Sequence, residues 1–116
     1  MKISKENMRL QVNENMRGGT GKVYLLHLQE GETLQPHCRL HCQITVPAGC
    51  SIGYHVHENE TEVFHFISGR GHADDNGTLV EIIPGDVIVT GPGTGHSILA
   101  DSGEDMVFEA VITLED

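Results

Sequence analysis

Short apolar runs separated by turn signals fill most of the chain after Lys22, and this pattern limits the possible folds more than any other feature. No window longer than eight residues shows the spacing of an amphipathic helix. The Asn76-Gly77 pair is typical of a tight β-hairpin, because both residues tolerate a positive φ. The pattern predicts strands at residues 23–28, 39–46, 54–57, 62–68, 79–83, 87–90, 96–100 and 106–114. Many short strands at regular spacing favour an all-β barrel or sandwich.

The length and charge of the chain predict one acidic domain with a basic extension. A chain of 116 residues is expected to form a single hydrophobic core. Residues 1–22 carry five basic and two acidic side chains, a balance of +3, whereas residues 23–116 carry −13, for a net charge of −10. We therefore divide the chain into an N-terminal basic arm, 1–22, and a barrel domain, 23–116. An acidic barrel repels phosphate groups, so we expect neither nucleic acid nor membrane as a partner.

The first residues, the length of the apolar runs and the cysteines together indicate the cellular compartment. The first residues are polar, with no pattern typical of a signal peptide, and no apolar run is long enough to span a bilayer. The cysteines are Cys38, Cys42 and Cys50, an odd number, and the first two would lie about 13 Å apart on a strand, beyond disulfide reach. We expect a cytoplasmic protein with reduced thiols.

Three histidines and one glutamate form the strongest candidate site. On a strand, side chains at i and i+2 leave the same face about 7 Å apart, so His55 and His57 can point at a common centre. Glu62 lies about where a returning strand would supply an oxygen ligand, and His96 adds a third imidazole from a later strand. Together they predict a metal site.

The same residues lie within two motifs that resemble those of the cupin superfamily. Gly49-x5-His55-x-His57-x4-Glu62-x6-Gly69 is similar to the first cupin motif at every defined position. Gly85-x5-Gly91-x-Gly93-x2-His96 is similar to the second, although Gly91 stands where the family usually has proline and Ala100 where it often has asparagine. These departures affect a turn and a neighbouring contact and leave the ligands unchanged. The resemblance implies a small single-domain cupin with a double-stranded β-helix, the jelly-roll β-barrel.

The ligand types narrow the choice of metal without fixing it. Imidazole and carboxylate without thiolate suit one divalent transition metal, which we expect to be Fe, Mn, Ni, Zn, Co or Cu. Four protein ligands around a six-coordinate ion leave two positions for water, substrate or dioxygen. The run His37-Cys38-x2-His41-Cys42 is a weaker second candidate, because the β-branched residues after it favour a strand on which these pairs lie far apart.

Four further residues are candidates for the pocket wall. Phe64 and Phe66 alternate with Glu62 on the strand 62–68, so they line either the cavity or the core, which in a small barrel are neighbours. Arg70 and His72 follow the first motif and are candidates on position alone. Beyond the metal ligands no general acid or base stands out, so the catalytic residues are unassigned.

The resemblance implies several functions, of which we favour a metal-dependent enzyme that acts on a small organic molecule, of dioxygenase, decarboxylase, lyase or isomerase type. The alternative is a non-catalytic module that binds or senses a metal or small ligand. A sugar-phosphate isomerase is third, because the barrel offers only Arg39 and Arg70 to a phosphate. Sheet edges and apolar outer faces that need cover predict a homodimer.

Overall fold

The computed structural model describes residues 1–115 and consists of two antiparallel sheets that face each other. The larger sheet has the strand order β1-β2-β3-β10-β5-β8 and the smaller has the order β4-β9-β6-β7. The strands are β1 Arg9–Glu14, β2 Lys22–Gln29, β3 Cys38–Val46, β4 Ser51–Val56, β5 Glu60–Ser68, β6 Gly71–Asp75, β7 Thr78–Ile82, β8 Val87–Thr90, β9 Gly95–Leu99 and β10 Met106–Leu114. Short 3-10 turns occupy Lys5–Asn7, Met16–Gly18 and Gly31–Thr33. The prediction of an all-β jelly roll is confirmed.

Alternation along the strands places the core between the sheets. On β5, Glu62, Phe64 and Phe66 are buried whereas His65 and Ile67 are exposed, as the period of two predicts. The fully buried Phe108 of β10 lies against the rings of Phe64 and Phe66, with centroids 4.7 and 5.0 Å away. This aromatic cluster fills one part of the barrel, and polar side chains of the neighbouring strands occupy the part beside it.

The N-terminal segment contributes to the larger sheet. Residues 9–14, assigned above to a basic arm, form β1 and pair along their whole length with β2, from Arg9 opposite His27 to Glu14 opposite Lys22. Residues 71–75, which lie outside the strand ranges given above, form β6 and pair with both β7 and β9. Both strands are short and polar, so their apolar pattern is weak and the tertiary pairing decides their structure.

The cysteines are free thiols, as expected for a reduced chain. The segment with the His37-Cys38-x2-His41-Cys42 pattern becomes strand β3 from Cys38 onward, and Cys42 points into the core with no exposed surface. Burial raises the pKa of the Cys42 thiol to about 12, so this sulfur stays protonated. Between residues 1 and 115 no helix has the length and apolarity needed to cross a membrane.

Candidate metal centre

The four predicted ligands converge between the two sheets. His55 lies on β4 directly opposite His96 on β9, His57 follows the end of β4, and Glu62 projects from β5 of the facing sheet. One ligand atom from each lies within 4.8 Å of the others. His57, Glu62 and His96 are buried, with exposed fractions of 4%, 6% and 1%. The structure thus brings together residues separated by up to 41 positions in the chain.

The local backbone explains how two histidines of one strand reach the same point. The pairing of β4 with β9 is irregular between Ile52 and His55, and irregularities of this kind bend a strand locally. The end of the strand is then fixed to the loop before β9, because the His57 N–H donates to the Thr94 carbonyl and the Gly93 N–H donates to the His57 carbonyl, at 3.0 and 2.8 Å. His57 is therefore held by backbone on the loop that precedes His96.

Each imidazole is oriented by a partner at its outer nitrogen. His55 Nδ1 lies 2.8 Å from the Gly53 carbonyl oxygen, His57 Nδ1 lies 2.6 Å from Glu60 Oε2, and His96 Nδ1 lies 2.8 Å from Thr90 Oγ1. The Gly53 carbonyl and the Glu60 carboxylate only accept hydrogen bonds, so Nδ1 of His55 and of His57 carries the proton. All three Nε2 atoms face inward. Outer partners that fix the tautomer and the ring in this way are typical of metal-binding histidines.

The spacing of the inner atoms fits a transition metal. The Nε2 atoms of His55 and His57 each lie 3.2 Å from His96 Nε2. Glu62 Oε1 lies 3.0 Å from His57 Nε2 and 3.1 Å from His96 Nε2. Bonds of about 2.1 Å to an octahedral ion place neighbouring ligand atoms about 3.0 Å apart. The donor set and the distances thus suit a six-coordinate ion with open positions.

The ionisation of the centre favours a cation. Burial raises the pKa of Glu62, but the hydrogen bonds from His57 and His96 outweigh that effect and hold the pKa below its ordinary value. Burial lowers the pKa of His55, so this imidazole is neutral at pH 7. The hydrogen bond to Glu62 raises the pKa of His57 despite its burial. An anionic carboxylate therefore faces imidazoles at a position that a proton or a divalent metal can occupy.

Glu60 and Arg39 form an outer layer that sequence reasoning missed. The guanidinium of Arg39 donates two hydrogen bonds to Glu60, at 2.7 and 2.8 Å, and the second carboxylate oxygen also receives His57 Nδ1. The Arg39 hydrogen bonds lower the pKa of Glu60 to about 2. Glu60 is ionised at neutral pH and fixes the ring of His57. Its place at the start of β5, two residues before Glu62 on the same inner face, is the one signal that alternation could have offered.

A small cavity of about 90 Å³ opens beside the centre. Its wall contains three of the candidate ligands, His55, His57 and Glu62, and two arginines, Arg17 and Arg39. Apolar side chains complete the wall: Met16, Leu25, Leu40, Ile44 and Ile112. Such a space takes a few water molecules or a ligand of few non-hydrogen atoms. Two of the wall residues, Met16 and Arg17, come from the segment assigned above to the arm.

The four pocket candidates of the sequence analysis lie elsewhere among the described residues. Phe64 stacks on the ring of His96, with centroids 4.7 Å apart and planes 14° apart, so it supports a ligand from behind. Phe66 belongs to the aromatic core and is 1% exposed. The backbone of Arg70 donates to Glu104, and His72 Nδ1 lies 2.8 Å from Asp101 Oδ1. Within residues 1–115 the wall of this cavity contains none of these four side chains.

Comparison with known proteins agrees with this architecture. Residues 42–113 match the family model described as "Cupin domain". A protein of Thermotoga maritima named "Oxalate-binding protein" is 42% identical over 100 residues, which cover 86% of this chain and 83% of that protein. A crystal structure from the same organism, titled as a predicted oxalate decarboxylase, has a TM-score of 0.91 and 38% identity, and the match covers 98% of this chain and 99% of that one. A cupin 2 conserved barrel domain protein from Rhodopseudomonas palustris, at 16% identity and a TM-score of 0.78, covers 100% of this chain and 81% of its own and shares the fold.

Proposed function

The chain belongs to the cupin family, and from this we propose that it holds one divalent transition metal and binds a small dicarboxylate of the oxalate class beside it. The observation that carries the proposal is the convergence of three imidazole Nε2 atoms and one carboxylate oxygen, while the outer nitrogen of each ring is already occupied. His55, His57, Glu62 and His96 would hold the ion. A bound divalent metal supplies a Lewis acid with open positions for a carboxylate oxygen.

The cavity supports a small anionic ligand. Its volume of about 90 Å³ excludes sugars and nucleotides, which need the several hundred Å³ of ordinary ligand pockets. Arg17 adds positive charge to the wall, whereas Arg39 is already paired with Glu60, so an anion is favoured over a neutral molecule of the same size. Oxalate has two carboxylates and no other groups. The name of the Thermotoga maritima relative points to the same ligand.

Binding without turnover is the function that the cavity supports best. Among the described residues of its wall, Glu62 is the only carboxylate, and Glu62 is a proposed metal ligand. A decarboxylase needs a group that delivers a proton to the carbon that loses CO2. The proposed function therefore differs from the enzyme that the ligand set alone favours. Decarboxylation is the second candidate, because a structure 38% identical to this chain is titled as a predicted oxalate decarboxylase.

Calorimetry on metal-free and metal-loaded protein tests the proposal. We expect the chain loaded with Mn(II) or Co(II) to bind one oxalate per metal, and the metal-free chain to bind it at least about tenfold more weakly, because the Lewis acid is absent. Succinate, which is too long for the cavity, is the control ligand. Equal oxalate affinity with and without metal would contradict the proposal.

The same samples separate binding from turnover. Decarboxylation converts one hydrogen oxalate anion into one formate and one CO2, so both products are followed under air and under nitrogen. Bound oxalate that is recovered unchanged supports the binding function. Stoichiometric formate and CO2 that depend on the metal would establish the decarboxylase instead.

A further inference from the structure

Arg17 lies in the wall of the cavity on the turn between β1 and β2, and among residues 1–115 no group forms a hydrogen bond or ion pair with its guanidinium. We propose that Arg17 binds the second carboxylate of the ligand and thereby selects dicarboxylates over monocarboxylates. The inference rests on the proposed function, because it takes the first carboxylate to bind at the metal. It assigns to the N-terminal segment a role in recognition.

The two arginines of the cavity wall differ in what they already bind. Arg39 donates two hydrogen bonds to Glu60, so its charge is neutralised within the protein. Within the described chain the guanidinium of Arg17 takes part in no hydrogen bond and no ion pair. It is solvent-exposed and lies on the same wall as His55, His57 and Glu62. Arg17 is thus the cation that an incoming anion can engage without breaking an existing pair.

The backbone of Arg17 is held in an uncommon conformation. Its φ is 56° and ψ is 29°, and Asn15 two residues earlier has φ 51°. The left-handed region disfavours an arginine, because its Cβ crowds the backbone. Residues kept in such conformations by their surroundings cluster at functional sites. A glycine would adopt this conformation without strain, so the presence of arginine at position 17 is consistent with a role for its side chain.

The turn is fixed to the strand that carries His55. A Cβ added at Gly53 would collide with the Arg17 carbonyl oxygen, and one added at Gly19 would collide with the Ser51 carbonyl oxygen. Hydrogen bonds join the same two segments, since the Ser51 N–H donates to the Thr20 carbonyl and the Thr20 N–H donates to Ser51 Oγ, both at 2.9 Å. The position of Arg17 relative to the proposed metal is therefore set by rigid backbone.

The ratio of two affinities tests this assignment. Oxalate and acetate affinities are measured by calorimetry on Mn(II)-loaded wild type, Arg17→Gln and Arg17→Lys, with metal content and melting temperature as checks of folding. We expect Arg17→Gln to weaken oxalate about tenfold or more and to leave acetate unchanged, because acetate has no second carboxylate. Arg17→Lys should retain part of the preference for oxalate, since lysine keeps the positive charge but lacks the paired N–H donors of the planar guanidinium.

Arg70→Gln is the matched control, because Arg70 is exposed and lies outside the cavity wall. Wild-type selectivity in Arg17→Gln, or an equal loss for oxalate and acetate, would overturn the role of Arg17 and leave the proposed function standing. A metal-loaded wild type that binds no oxalate would overturn both.

Discussion

Replacement of His57 by alanine is expected to reduce the metal content from about one ion per chain to nearly none. The change removes one of four donors and also leaves Glu60 Oε2 without the imidazole that it holds at 2.6 Å. Loss of an outer partner alone costs roughly 10–100-fold in metal affinity, and loss of a ligand should exceed that range. Elemental analysis after dialysis against a known concentration of Mn(II) or Co(II) gives the occupancy, and calorimetry gives the affinity.

His65→Ala is the matched control for this variant, because His65 is an exposed histidine on β5 with its side chain on the opposite face of the sheet from Glu62. It removes one imidazole from the chain and none from the centre. Equal metal content in wild type and His57→Ala would refute the ligand assignment. Metal loss in His65→Ala as well would show that the ion is held by surface histidines.

The convergence of the four candidate ligands could be predicted from the sequence because most of the signals are local. His55 and His57 need only a strand with a period of two to share a face, and Glu62 needs only a short loop before the next strand. His96 required knowledge of a distant strand, which the resemblance to the second cupin motif supplied. The alternation on β5 likewise predicted which face carries Phe64 and Phe66. The alternation could not show whether these two rings line the core or the cavity, because that depends on Phe108, which packs against both of them.

The rest of the site depends on pairings that the local pattern does not encode. Arg39, 21 residues earlier on β3, reaches Glu60 past β10 of the same sheet and so fixes the carboxylate that contacts His57. Thr90 meets His96 only because the chain crosses from β8 in the larger sheet to β9 in the smaller sheet, which brings the end of one strand close to the start of the other. Arg17 reaches the cavity because β1 pairs with β2 and because Gly53 allows the turn to approach the strand. In each case no local sequence pattern marks the polar residue, and the tertiary structure alone places it at the site.

Substitution of Glu60 by glutamine is expected to weaken metal binding by about 10–100-fold without removing a ligand. The variant keeps the size of the side chain and removes the charge that attracts both His57 and Arg39, at 2.6 and 2.7 Å. The ring of His57 then loses its charged anchor, so its Nε2 is no longer fixed toward the centre. Competition with a fluorescent chelator measures the affinity, and Glu58→Gln, an exposed glutamate two residues away, is the control.

The pH dependence of the melting temperature tests the same role of Glu60 in metal-free protein. The folded pKa of Glu60 is lowered to about 2 from 4.5, so ionised Glu60 stabilises the folded state above about pH 4.5. That contribution is lost as the pH falls through the folded value. The difference in melting temperature between metal-free wild type and Glu60→Gln should therefore be largest near neutral pH and shrink between pH 4.5 and about 2. A difference that stays constant over this range, together with wild-type metal affinity, would show that the Arg39–Glu60–His57 chain does not position the ligand.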